Sequence, residues 1–194
     1  MKDLSLHLMD IAQNSTTAGA THIDIALESR RDPSVLVLTV ADDGRGMAPE
    51  FLARVQDPFT TTRTTRKVGL GIPLLKLSAE MTGGSLSLLS EPGVGTTLQA
   101  VFGLDSIDRI PVGDIAGTLA ALVTAWPDIE WNMHLGSQKE QFDLTTLEMK
   151  EVLGDVPLGS PAVAGWLEET LGAAMKDVFG GVLDEIPEGP GSHP

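Results

Sequence analysis

From Asp3 to Ala18 the apolar residues recur at every third or fourth position, the period of an amphipathic helix, and Gly19 is placed to end it. The period then shortens. Thr21 to Leu27 alternates apolar with polar residues as a half-buried strand does. Val35 to Val40 is a nearly continuous apolar run that predicts a more deeply buried strand, and the Arg-Arg-Asp-Pro-Ser stretch between them reads as a turn. The loop ADDGRGMAPE follows, then a short helix from about Pro49 to Val55 with proline in its first turn. A loop rich in Thr and Arg runs from Asp57 to Val68. Gly69 to Met81 returns to helical periodicity and stops at Gly83-Gly84, after which Ser85–Leu89 and Thr96–Phe102 read as a strand pair around the turn EPGVG. Together these elements predict an α+β unit, a two-layer sandwich in which a mixed sheet carries helices on one face.

Beyond Asp105 the pattern changes, and Ile110-Pro111 through Gly113 reads as a boundary. Asp114–Ala125 is helical, Ile129–Leu135 and Gln138–Leu144 form a hairpin pattern, Thr145–Leu153 is helical again, and Ser160-Pro161 caps a helix reaching about Phe179. The expected organisation is a first domain over residues 1–104, a small α+β module over 105–180 and a flexible tail over 181–194.

Composition narrows the function. The chain has 194 residues, 42% of them hydrophobic, enough for a real core. With 27 acidic and 13 basic residues its formal charge is −14, which repels polyphosphate and argues against nucleic-acid or anionic-membrane partners. The absence of cysteine excludes disulfides and thiolate chemistry and fits a reducing compartment. The N-terminal sequence has no charged-then-apolar leader and no window approaches a membrane span, so a cytoplasmic location is expected.

Four polar groupings carry candidate chemistry. On the first helix, Asp3, His7, Asp10 and Asn14 share one stripe beside a mostly apolar stripe of Leu4, Leu8, Ile11 and Ser15. An asparagine oxygen can ligate Mg²⁺ and a carboxylate one turn earlier can polarise a water, although such a stripe is also what a solvated helix face looks like. After the buried strand comes Asp42-Asp43-Gly44-Arg45-Gly46-Met47. Here an aspartate can accept a hydrogen bond from an exocyclic amine while glycines admit a planar base; a tight acidic turn is the alternative.

Next, Arg63, Arg66 and Lys67 lie among hydroxyls that include Thr60 and Thr61, immediately before Gly69-Leu70-Gly71 at a helix start. Backbone amides, helix dipole and cations can converge there on a triphosphate, or the glycines can simply loosen the start of the helix. Last, Glu91-Pro92-Gly93-Val94-Gly95-Thr96-Thr97 reads by itself as a hairpin turn. His7 is either a hydrogen-bond partner of Asp10, a phosphoryl acceptor or a structural histidine, and the three tryptophans, all in the second half, read as core or interface anchors.

In this order, an Asn on the first helix, DxGxG, DPFxTT with basic residues, GLGI and PGxGTT resemble the N, G1, F, G2 and G3 boxes of the GHKL superfamily of ATPases. That superfamily includes histidine-kinase catalytic domains, MutL, DNA gyrase and the large heat-shock chaperones. IAQNSTTAGAT is similar to the MutL form of the first box, and DPFTTT with GLGIPLLK to the kinase form. The resemblance covers Leu4 to Phe102 and implies the Bergerat fold with ATP and Mg²⁺ as ligands.

By position it implies that Asn14 holds the metal and that Asp42 recognises adenine, aided by a water near Thr96. Gly44, Gly46 and Met47 would shape the base pocket. Thr60, Thr61, Arg63, Arg66 and Lys67 fall on the phosphate lid, and Gly69, Leu70 and Gly71 would offer backbone amides. Asp10 is the catalytic candidate, standing where ATPase branches carry glutamate and many kinases carry asparagine. The stretch from Phe59 to Gly69 is short for a lid, so the expectation is either a more open site or one that a partner closes. Because Asp3 already belongs to the first helix, autophosphorylation in the usual sensor-kinase arrangement is not expected. The implied activities are slow ATP hydrolysis, phosphotransfer to a separate protein, or non-enzymatic nucleotide sensing.

Overall fold

A computed structural model of the chain describes residues 3–55 and 71–183. The first helix, α1 (Leu4–Thr17), begins where Asp3 accepts the Leu6 N–H at 3.0 Å, satisfying an amide that the helix itself leaves open. It ends at Ala18, and Gly19 turns away with φ +78°, a conformation costly for any other residue. Strands β1 (His22–Arg31) and β2 (Ser34–Asp42) form an antiparallel pair. The charged stretch expected as a turn is mostly strand, because pairing with β2 continues through Arg30 opposite Val35 and Arg31 opposite Ser34, and only Asp32-Pro33 lies between the two.

The short α2 (Pro49–Val55) and α3 (Gly71–Met81) precede the hairpin of β3 (Ser85–Glu91) and β4 (Gly95–Gly103). After these come α4 (Ile115–Ala125), β5 (Glu130–Gly136), β6 (Gln141–Thr145), α5 (Thr146–Leu153) and α6 (Pro161–Phe179). The caps match local chemistry: Asp114 accepts Gly117 N–H at 2.8 Å, Thr145 and Glu148 form a reciprocal capping box, and Ser160 precedes a first-turn proline.

The six strands form one mixed sheet in the order β3-β4-β2-β1-β5-β6. Every neighbouring pair is antiparallel except β1 with β5, which run parallel with Ile23 opposite Trp131 and Leu27 opposite Leu135. Strands from both sides of residue 105 therefore share one hydrogen-bonded sheet. Register puts Leu88, Leu98, Val40, Ile25 and Met133 in one row across it, and α1, α3, α4 and α6 bury their apolar stripes against that face. The opposite face carries polar residues such as Asp24, Thr39, Gln99 and His134. Among the described residues no helix is long and apolar enough to cross a membrane.

Trp131 joins the two halves. Its ring is wholly buried, its indole N–H donates to Trp126 O at 3.1 Å and its backbone N–H donates to Thr146 Oγ1 at 2.9 Å. Removing that ring leaves a cavity beside Ile23 in the shared core. Trp131→Ala is therefore expected to lower the unfolding free energy by about 3–5 kcal/mol and to shift a single transition, in urea unfolding followed by far-ultraviolet circular dichroism. A second, separately moving transition would show that the sheet does not melt as one unit.

Candidate functional site

At one end of the sheet α1, β2, β4 and α2 enclose a cavity of about 250 Å³. Its apolar wall comes from Ile11, Val40, Val55, Ile72, Leu88 and Leu98, with Phe51 and Met47 at the side. Such a slot accepts a flat apolar group, and its polar residues are few enough to orient one.

Asp42 is the polar centre. It is the last residue of β2, and the strand alternation that points Leu36, Leu38 and Val40 into the core points its carboxylate the same way. Two donors hold it: Ser15 Oγ donates to Oδ2 at 2.6 Å and Gly44 N–H donates to Oδ1 at 3.0 Å. The adjacent Asp43 points outward and does different work, accepting from Thr21 N–H at 2.7 Å, Thr21 Oγ1 at 2.6 Å and His22 N–H at 2.9 Å. Partial burial would raise the Asp43 pKa, but the hydrogen bonds outweigh it and hold the carboxyl below its ordinary value. Strand parity thus separates a pocket residue from a loop staple.

The glycines of this end answer to chain packing. Gly46 has φ +62°, and a Cβ there would collide with the Glu91 carbonyl; a Cβ at Gly95 would collide with the carbonyl of Asp42. Both let the loop after β2 lie directly on the β3–β4 turn. Beneath this contact, Ser90 Oγ accepts Met47 N–H at 2.9 Å and contacts Gly95 O at 2.9 Å and Thr96 Oγ1 at 2.8 Å. Across β4, Thr96 stands opposite Asp42.

Of the residues singled out by sequence, Asn14, Asp42, Gly46, Met47 and Thr96 line the cavity, and Gly44 braces Asp42 from behind. Asp10 lies one turn before Asn14 on α1, and its Oδ2 is buried with no hydrogen-bond partner among the described residues. Gly71, at the start of α3, abuts it so closely that a Cβ would overlap Oδ2. His7 is buried as well. Thr60, Thr61, Arg63, Arg66, Lys67, Gly69 and Leu70 lie outside the described residues.

Sequence reading missed Ser15, Ser90 and Arg45, which also faces the cavity. The two serines had a signal. Each is a hydroxyl where periodicity calls for an apolar side chain, Ser15 after Leu4, Leu8 and Ile11, and Ser90 after Leu86 and Leu88.

Residues 2–106 match the protein family described as "Histidine kinase-, DNA gyrase B-, and HSP90-like ATPase". The chain is 35% identical over 105 residues to the non-motile and phage-resistance protein of Caulobacter vibrioides, an alignment covering 50% of this chain and 12% of that one. It is likewise 35% identical over 102 residues to the sensor protein SrrB of Staphylococcus aureus, covering 50% of this chain and 17% of that one. The chain spans less than a fifth of the length of these relatives. Among solved structures, the N-terminal domain of a DNA repair protein shares its fold, with a TM-score of 0.53 at 13% identity over 75% of this chain and 53% of that chain.

Burial holds His7 below its ordinary pKa of 6.5, and the negative charges of Asp10 and Asp3 offset this only in part. The unfolded ring therefore binds a proton at a pH where the folded ring does not. Its contribution to stability is full above 6.5 and is lost as pH falls through 6.5 toward the lower folded value. Urea midpoints of the wild type should drop between about pH 7.5 and about pH 5.5, and His7→Leu should flatten that drop. An equally steep loss in the variant would assign it to other groups.

Proposed function

The chain belongs to the histidine kinase-, DNA gyrase B- and HSP90-like ATPase family, and from that premise we propose that the cavity between α1, β2 and β4 binds Mg·ATP in a regulatory protein. The carrying observation is the Asp42 carboxylate. It stands at the head of an apolar slot, braced by Ser15 and Gly44, with Thr96 on the neighbouring strand. In this reading Asp42 accepts the exocyclic amine of adenine, the aliphatic walls and Met47 sandwich the base, and Asn14 lies toward the phosphates. Thr60, Thr61, Arg63, Arg66, Lys67 and the amides of Gly69, Leu70 and Gly71 take the phosphate role by position in the family motif.

The donor set fits magnesium held jointly by protein and ligand. Among the described residues no three acidic, histidine or cysteine side chains converge as a metal cage. The Asn14 amide oxygen is the hard donor offered, and Mg²⁺ is commonly held by one or two protein oxygens together with substrate phosphates. When bound, the ion would neutralise phosphate charge.

Asp10 is the proposed general base. Its buried oxygen, one turn before Asn14 and without a partner among the described residues, favours a carboxylate waiting for a water or an acceptor hydroxyl. Slow hydrolysis and transfer to a separate protein both follow from that placement; an ATP sensor that only changes shape uses the same pocket without Asp10. A protein partner or second copy completes the reading, supported by exposed apolar residues such as Trp166 and Val152. The net charge of −14 supports a partner other than nucleic acid or anionic membrane, and the lack of cysteine supports a cytoplasmic setting.

ATP and ADP with magnesium should bind at least about tenfold more tightly than their guanine counterparts, and Asp42→Asn should weaken ATP by a similar factor. Equal affinity for GTP in calorimetric titration would remove the adenine assignment.

Incubation with γ-labelled ATP separates the activities: free phosphate marks an ATPase, labelled partner protein a kinase, and neither a sensor. If Asp10 is the base, Asp10→Asn should abolish turnover while ATP affinity stays nearly unchanged. Turnover at the wild-type rate in that variant would leave Asp10 without a catalytic role.

A further inference from the structure

The sheet has two edges, and the chain treats them differently. β6 is blunted: it is five residues long, Asp143 stands on it with Glu140 just before, and α5 begins directly after its last residue. Such devices keep a foreign strand from adding to a sheet. β3 lacks them. It runs seven residues, pairs with β4 without a break from Ser85 opposite Val101 to Glu91 opposite Gly95, and contains no proline. From Ser85 to Ser90 it carries no charge, in a chain whose formal charge is −14. Ser85, Ser87 and Leu89, on the side of the strand away from the core, are exposed, Leu89 to 70%. Among the described residues no strand pairs with its far side.

An open edge presents backbone N–H and C=O groups that a further strand can satisfy. Charge and symmetry select a second copy of this chain as the source of that strand. Copies at −14 repel one another, and the contact that adds least to the repulsion is one where neither surface is charged. Two identical strands also pair antiparallel about a twofold axis. With the whole of β3 paired in this way, Leu88 stands opposite Leu88 of the second copy, Ser87 opposite Leu89 and Ser85 opposite Glu91. No like charges then face each other, and both exposed leucines gain cover.

We infer that β3 is a homodimer interface at which two copies join edge to edge, so that their sheets run on as one. This does not depend on the nucleotide reading of the cavity. Sedimentation equilibrium of the whole chain tests it. The contact is small, so a micromolar dissociation constant is expected. Raising the salt from about 50 to about 500 mM should tighten the dimer severalfold by screening the repulsion between copies, where an ion-paired interface would loosen. Leu89→Glu should weaken it at least about tenfold while the circular dichroism spectrum stays that of the wild type. The register can be read against a background free of cysteine. A mixture of Ser87→Cys with Leu89→Cys should cross-link under mild oxidation faster than either variant alone, because only the mixture sets two thiols directly opposite. That arm decides the matter should Leu89→Glu fail to fold. A chain that stays monomeric, a dimer that loosens with salt, a dimer untouched by Leu89→Glu, or cross-linking no faster in the mixture would each overturn the inference.

Discussion

A carboxylate on the core-facing side of a sheet is tolerable only if donors reach it, and Asp42 imposes that constraint on everything around it. It occupies the core-facing parity of β2, in line with Leu36, Leu38 and Val40, so its oxygens enter a cavity whose walls are mostly apolar. Ser15 on α1 and the Gly44 amide meet them. The helix must therefore cross this strand end at one rotation and one height, which also turns Asn14 toward the cavity and carries Asp10 to the start of α3. One hydrogen-bonding requirement thus places three candidate functional side chains.

The loops obey a second constraint, backbone against backbone. Gly46 and Gly95 each leave out a side chain where a carbonyl from the other segment lies, so the loop after β2 and the β3–β4 turn close on one another without an intervening layer. Ser90 fills the small polar space beneath them and satisfies Met47 N–H.

The second half of the chain is built into the same sheet. β5 pairs in parallel with β1 and extends the same sheet, Trp131 packs in the row of Ile23, and α4 and α6 cover the face that α1 and α3 begin to cover. The family match covers residues 2–106. The pocket residues all belong to that half, whereas the strand on which β1 leans belongs to the other.

Much of this was legible in the sequence. Periodicity located the helices and strands to within a few residues, since burial on one face enforces a repeat that the chain itself displays. The ordered motifs also pointed to Asn14, Asp42, Gly46, Met47 and Thr96, which the structure gathers around one cavity. What the sequence could not display was pairing across distance. The parallel joining of β5 to β1 depends on contacts more than a hundred residues apart, and no local pattern records them. The same holds for Ser15 against Asp42 and Ser90 against Thr96: a lone serine in an apolar stripe is chemically silent until a second segment supplies its partner. Local composition determined which elements form and which residue types are available to them; only tertiary packing decided which donor faces which acceptor, because a hydrogen bond is set by atomic positions and not by order along the chain.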